Sequence, residues 1–179
     1  MATEHKAFVF DYITFIQELA NILEMAIFSQ NSRELIFFIE NNLQYLKDPD
    51  SGEFLDLEWQ EMIETKDVNE CGDFALTKYY DPHQNVGLGY NWELLYDALQ
   101  NELKTEISPL LGLPFGYDNN YFDPGKIGSY FQFPEQVKEN LERINSLSPY
   151  KKQNFPNIVV LEEMLSTALA LEKGLYITF

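Results

Sequence analysis

Cysteine is almost missing from this chain: Cys71 is the single thiol in 179 residues. One thiol closes no intramolecular disulfide, which excludes a stapled secreted scaffold and points to a reducing compartment. Histidine is nearly as scarce. His5 and His83 bring the Cys and His candidates to three, one short of the four ligands that a structural zinc site usually takes. Basic charge is also short. Twelve Lys and Arg stand against 29 Asp and Glu, a net of -17, and no basic run exceeds Lys151-Lys152. Phosphate backbones and anionic bilayers attract cations, so direct binding to nucleic acid or membrane is disfavoured. Long apolar runs are missing too. Residues 7 to 28 are rich in Phe, Ile and Leu, but Asp11, Gln17, Glu18, Asn21 and Glu24 interrupt them too often for a span. Met1 to Lys6 do not lead from a basic stretch into an apolar core of the signal-peptide kind. A soluble, cytoplasmic protein is the expectation.

What the chain has in quantity is aromatic and apolar side chain. Fourteen Phe, 11 Tyr and 2 Trp make up 15% of it, within a 45% apolar share. A chain of this length buries roughly 70% of the surface its unfolded form exposes, so it needs no metal or disulfide to hold a core. Tyr12, Phe15, Ile16, Leu19, Ile22, Leu23, Ala26 and Ile27 recur at helical spacing. A turn over Ser29 to Ser32 leads to Asn31 as N-cap, with Glu34 three residues on and a second stripe of Leu35, Phe38, Ile39, Tyr45 and Leu46. Lys47 to Gly52 is a cluster of turn formers. A short helix over Leu57 to Thr65, with Leu57, Met62 and Ile63 inward, comes next, and then a short strand from Phe74 to Tyr80 by alternation.

The spacing of Trp92, Leu95, Leu99 and Leu103 predicts a helix to about Thr105, opened by Asn91 after the break at Gly87-Leu88-Gly89. Ser108 to Gly125 reads as a long irregular connection. Ile127, Ser129, Phe131 and Phe133 alternate as a second strand, and Pro134 and Pro156 each open a helix. Gly174 is placed to close the last helix as a left-handed residue, ahead of the apolar tail Leu175 to Phe179. Without repeats or a linker, residues 1–179 read as one globular domain. The expected class is α+β and predominantly α: about five helices and a small sheet of short strands, with a single layer of helices packed around one core.

No motif carries an assignable chemistry, and no catalytic or metal-binding residue and no cofactor is assigned. A Cys71 thiol with His83 as its base is the one nucleophile pair available, and burial of Cys71 would end it. No Glu or Asp stands three residues before either histidine on a helix, which removes a di-iron bundle. Asp48 to Gly52 and Asp118 to Asp123 gather oxygen ligands, but neither keeps the spacing of a calcium loop. Gly87-Leu88-Gly89 lacks the third glycine of a dinucleotide turn, because Trp92 stands there.

The acids are not evenly spread. Residues 48–73 hold ten of them against Lys66, a net of -9 in 26 residues. Such density costs self-repulsion that dispersed charges avoid, and a basic partner protein offsets it. The leading reading is a non-enzymatic binding protein that docks on a basic partner through Asp56, Glu58, Trp59, Glu61 and Glu64, with Trp59 among the apolar anchors. Small acidic inhibitors of nucleases and immunity proteins share this bulk character. The alternative is an enzyme or small-molecule binder with a pocket under the 108–125 loop, lined by Tyr117, Tyr121 and Tyr130. Self-association through Leu175 to Phe179 is a third view.

Overall fold

The computed structural model describes residues 3–125 and 127–179. The chain opens with a strand, β1 (Lys6–Phe10), and then runs through α1 (Tyr12–Glu18), α2 (Ala20–Ser29) and α3 (Arg33–Asn42). A short 3-10 turn at Leu43–Tyr45 precedes the acidic loop, a second at Trp59–Glu61 lies within it, and the loop runs on to α4 (Val68–Leu76). After α5 (Trp92–Leu103) come β2 (Leu113–Pro114) and the small hairpin of β3 (Gly116–Tyr117) and β4 (Asn120–Tyr121). Then β5 (Tyr130–Gln132), α6 (Pro134–Ser146), α7 (Pro149–Lys152), α8 (Ile158–Ala170) and β6 (Gly174–Thr178) complete it.

Four strands form an antiparallel sheet in the order β1-β6-β5-β2, so the last strand lies inside and pairs with both β1 and β5. The outer edge of β1 is covered rather than open: Val86 donates to Ala7 at 2.8 Å, and His5 and Gly89 exchange both backbone bonds. Covering an edge in this way removes a template for unwanted strand pairing.

Alternation along the strands sends side chains to two different cores. Phe8, Phe10, Phe131 and Tyr176 face α1 to α4, where Phe15, Tyr79, Tyr80 and Leu23 meet them. Ala7, Leu175 and Ile177 face α5, α6 and α8, where Leu95, Leu99, Val137, Ile144, Leu161 and Leu165 meet them. Helices therefore lie on both sides of the sheet.

This arrangement keeps the α+β class and changes its details. Eight α-helices occur among the described residues instead of five, and they make two layers around two cores instead of one layer around one. The first helical stripe is broken at Leu19 into α1 and α2. The expected strand from Phe74 to Tyr80 is instead the end of helix α4, through Leu76, followed by turns; Asp67 caps this helix by accepting from the Glu70 N–H. Cys71, Gly72, Phe74, Ala75 and Leu76 are all buried, so from Phe74 onward the helix shows no polar residue to reveal its period; its narrow polar face, Asn69, Glu70 and Asp73, lies before that point. Only Trp59–Glu61 of the expected 57–65 helix is helical, and Leu57, expected inside, is 90% exposed.

Ser32 and not Asn31 precedes α3, while the Asn31 side chain accepts from Arg33 in a local turn. Gly174 does not close α8; Glu172 takes the positive φ there. Gly174 starts β6, and a Cβ on it would stand 2.3 Å from the Gln132 carbonyl, so its lack of a side chain permits strand contact.

Candidate functional site

The acidic segment is held as a loop by its own backbone bonds. Asp48 Oδ1 accepts from the N–H groups of Asp50 and Ser51, a polar turn rather than a cation cage. The Glu70 carboxylate accepts from the N–H groups of Glu64, Thr65 and Lys66 and from the Thr65 hydroxyl. Burial works against its charge, but these four donors outweigh it and hold Glu70 below the ordinary carboxylate range. With Glu70 turned inward, Asp56, Glu58, Glu61 and Glu64 are left exposed.

None of the ten acids from 48 to 73 joins an ion pair among the described residues. Two lysines outside the segment are engaged elsewhere, Lys47 with Asp81 at 3.0 Å and Lys78 with Glu18 at 2.6 Å, and Lys66 inside it pairs with none of the acids. Trp59 must be withdrawn from the docking set. It is 1% exposed, packs with its ring 6.4 Å from that of Phe74, and belongs to the aromatic core. Its neighbours replace it. Leu57 and Phe54, 90% and 67% exposed, stand among the unpaired acids, and Met62 is exposed as well.

The three tyrosines of the alternative reading do not gather around a cavity. Tyr117, on β3, stacks on Phe28 of α2 at 5.8 Å, and the groove there has no free volume. Tyr121, on β4, is exposed. Tyr130, on β5, is half-buried with its ring edge-on to Phe179 at 6.4 Å. Asp118 and Asn119, both with positive φ, form the tight turn between β3 and β4. The thiol pair also fails: Cys71 is fully buried, and burial pushes its thiol up to about 11.

A cleft does exist, at the end of the 108–125 loop. Its volume is about 430 Å³, and Pro49, Asp50, Asp73, Tyr80, Pro124 and Phe179 are among its walls. Glu4, Lys6, Phe8, Asn85 and Thr178 also line it. Asp73, half-buried on α4, stands between this cleft and a smaller one of about 220 Å³ lined by Glu64, Asp67, Glu70 and Asp123.

Tyr176 reaches Asp73 Oδ1 from the sheet at 3.5 Å, and Ser129 lies 3.4 Å behind the same hydroxyl. Burial, reinforced by the charges of Asp50 and Asp48, pushes the Asp73 carboxyl up to about 7, while the long bond from Tyr176 and the charge of Lys6 work against it. Burial beside Asp73 also drives Tyr80 and Tyr176 well above the ordinary phenol range, so both stay neutral donors. No three Asp, Glu, His or Cys side chains among the described residues converge closely enough to hold a metal ion.

Sequence reasoning missed Asp73 because it missed α4. The available signal was Asp67-x-x-Glu70 before an apolar run, the capping pair of a helix start. Read that way, Asn69, Glu70 and Asp73 fall on one face, and they are the half-buried positions of the helix interior. No family model, curated protein or solved structure matches this chain. No helix among the described residues is long and apolar enough to cross a membrane.

Proposed function

We propose that this chain is a non-enzymatic, cytoplasmic binding protein that docks on a basic partner protein through the loop from Asp48 to Glu64, in the manner of small acidic inhibitors. The observation that carries the reading is the absence of any ion pair to the segment's acids among the described residues, combined with exposed Leu57 and Phe54 in their midst. An apolar side chain ringed by charge resembles the anchor and rim of a protein interface: desolvation of the anchor supplies affinity, and the charges select the partner and speed encounter. Asp56, Glu58, Glu61 and Glu64 form the rim, and Leu57 takes the anchor role first given to Trp59.

The test is differential capture from the native host with wild type, with Glu58→Gln/Glu61→Gln/Glu64→Gln, and with Leu57→Ser, followed by titration of the purified partner at rising salt. A basic protein held by wild type, lost from both variants and weakened by salt is the expected result. Equal recovery of every protein by all three baits would sink the reading.

A further inference from the structure

The cover on the outer edge of β1 is a strap of irregular chain, Asn85 to Gly89, and it satisfies the backbone of two residues. His5 exchanges bonds with Gly89 at 3.0 and 3.1 Å, the Ala7 carbonyl accepts from the Val86 N–H at 2.8 Å, and the Ala7 N–H donates to the Asn85 side chain at 3.1 Å. Gly87 lies so close that a Cβ on it would stand 2.3 Å from the His5 carbonyl. The His5 imidazole, fully buried, ties this strap to a second loop. Its Nδ1 accepts from the Leu88 N–H at 3.2 Å, and its Nε2 donates to the Leu110 carbonyl at 2.9 Å.

Both ring nitrogens are therefore committed, one as acceptor and one as donor, and a second proton turns the acceptor into a donor facing another donor. The charge it brings is unpaired, because His5 joins no ion pair among the described residues. Its ring neighbours are Trp92 at 6.0 Å and Phe179 at 5.8 Å. The titratable side chains on the elements packed there are Glu4 and Lys6 beside it, His83 and Tyr90 flanking the strap, Glu93 and Tyr96 on α5, Glu106 before the second loop, and Tyr130 on β5. None of them hydrogen-bonds to the ring.

We propose that His5 is a proton-operated latch: the neutral ring holds the 85–89 strap on β1, and protonation lifts the strap while the sheet and both cores stay in place. The strap suits local opening, since it contains two glycines and Leu88 is its one buried residue. On its other side β1 remains bonded to β6 along Lys6 to Phe10. Segments with so little buried apolar surface open well below the cost of global unfolding. Burial lowers the pKa of the ring in the closed form, whereas a ring freed by opening titrates near the ordinary 6.5. Below about pH 6.5 the open form takes the proton first, and its share grows about tenfold per unit until the closed ring titrates as well. What the open form bares is the set of backbone donors and acceptors on His5 and Ala7, a template for another strand. The proposal is independent of the partner reading.

The experiment is amide hydrogen exchange on the full chain at pH 7.5 and 5.5, expressed as protection relative to the intrinsic rate at each pH. Val86, Leu88 and Gly89 are expected to lose about tenfold in protection at pH 5.5, while the amides of β6 keep theirs. His5→Gln supplies one donor and one acceptor that do not titrate, and its strap is expected to be equally protected at both pH values. Glu4→Gln, which removes a neighbouring carboxylate and leaves the ring, is expected to respond as wild type does.

Unchanged strap protection in the wild type, or a loss shared equally by β6, would overturn the proposal. So would a wild-type response in His5→Gln or the lack of one in Glu4→Gln. The wild-type comparison stands by itself if His5→Gln does not fold.

Discussion

The two faces of the sheet are built from different material and carry different chemistry. The face toward α1–α4 is aromatic: Phe10, Phe15, Phe131 and Tyr176 form a connected set of rings 5.1 to 5.9 Å apart, including a stacked Phe15–Phe131 pair at 5.6 Å. The face toward α5, α6 and α8 is mostly aliphatic, with Leu, Ile, Val and Ala interlocked. Rings are large and flat and carry polar tips on Tyr, so the first face can extend to a surface cleft and offer hydroxyls there. Branched aliphatics carry no such tips, and the second face closes on itself. Each face also holds one titrating group near its margin, half-buried Asp73 on the aromatic side and buried His5 on the aliphatic side. Their pH responses oppose each other.

The largest effects come from breaking the two cores. Phe15→Ala is expected to cost about 3–5 kcal/mol and Leu165→Ala about 2–5 kcal/mol in chemical denaturation. If the faces differ as described, only Phe15→Ala also alters the near-ultraviolet aromatic signal strongly, and an equal change from Leu165→Ala would contradict the division.

Asp73 gives the next effect. Its carboxyl is raised to about 7 in the folded chain against about 3.9 unfolded. As pH rises through that window the unfolded state sheds its proton first, so folded stability falls between about pH 4 and 7 and then levels. Asp73→Asn removes the penalty, and urea denaturation should show it roughly 1–3 kcal/mol more stable than wild type at pH 8 and level with it at pH 4. A variant less stable at both pH values would show that the carboxylate is favourably paired after all.

His5 gives the smallest of the three. It is fully buried, with Nε2 donating to the Leu110 carbonyl at 2.9 Å and Nδ1 accepting from the Leu88 N–H at 3.2 Å, an arrangement that only the neutral ring satisfies. Burial lowers its pKa despite the Leu110 bond. The unfolded chain gains a proton near pH 6.5 and the folded one does not, so this contribution is complete above about 6.5 and is lost as pH falls. His5→Gln should unfold at a lower temperature than wild type at pH 7.5, by an amount near 1 kcal/mol, and the gap should narrow at pH 5. A gap that widens at pH 5 would reverse the sign argued here.

How much of this was legible in the sequence differs between the same two faces. The aliphatic side came through well: α5, α6 and α8 are amphipathic at their margins, with Pro134 opening one of them, and their periodicity shows. The aromatic side did not. There the polar face of α4 is only Asn69, Glu70 and Asp73 and its end from Phe74 on is wholly apolar, and Lys6–Phe10, which form β1, were assigned no element ahead of the helical stripe that starts at Tyr12. The candidate site suffered for that reason. Charge density located the acidic loop, but composition could not show that Trp59 turns inward while Leu57 turns out, because that depends on a 3-10 turn of three residues. Asp73 was counted among the acids and could not be set apart until α4 placed it beside Tyr176.

The position of β6 has a consequence for how the molecule comes to exist. It hydrogen-bonds with strands that begin at Lys6 and end at Gln132, and its residues enter both cores. Until residues 174–178 have been synthesised, β1 and β5 have no neighbour between them, and the ring set lacks Tyr176. Pairings so distant along the chain are slow to form, and they leave apolar strand edges open meanwhile. Assembly is therefore a late and concerted event, in which a five-residue segment joins two half-built cores at once, and a nascent chain halted before it has little to protect it from aggregation.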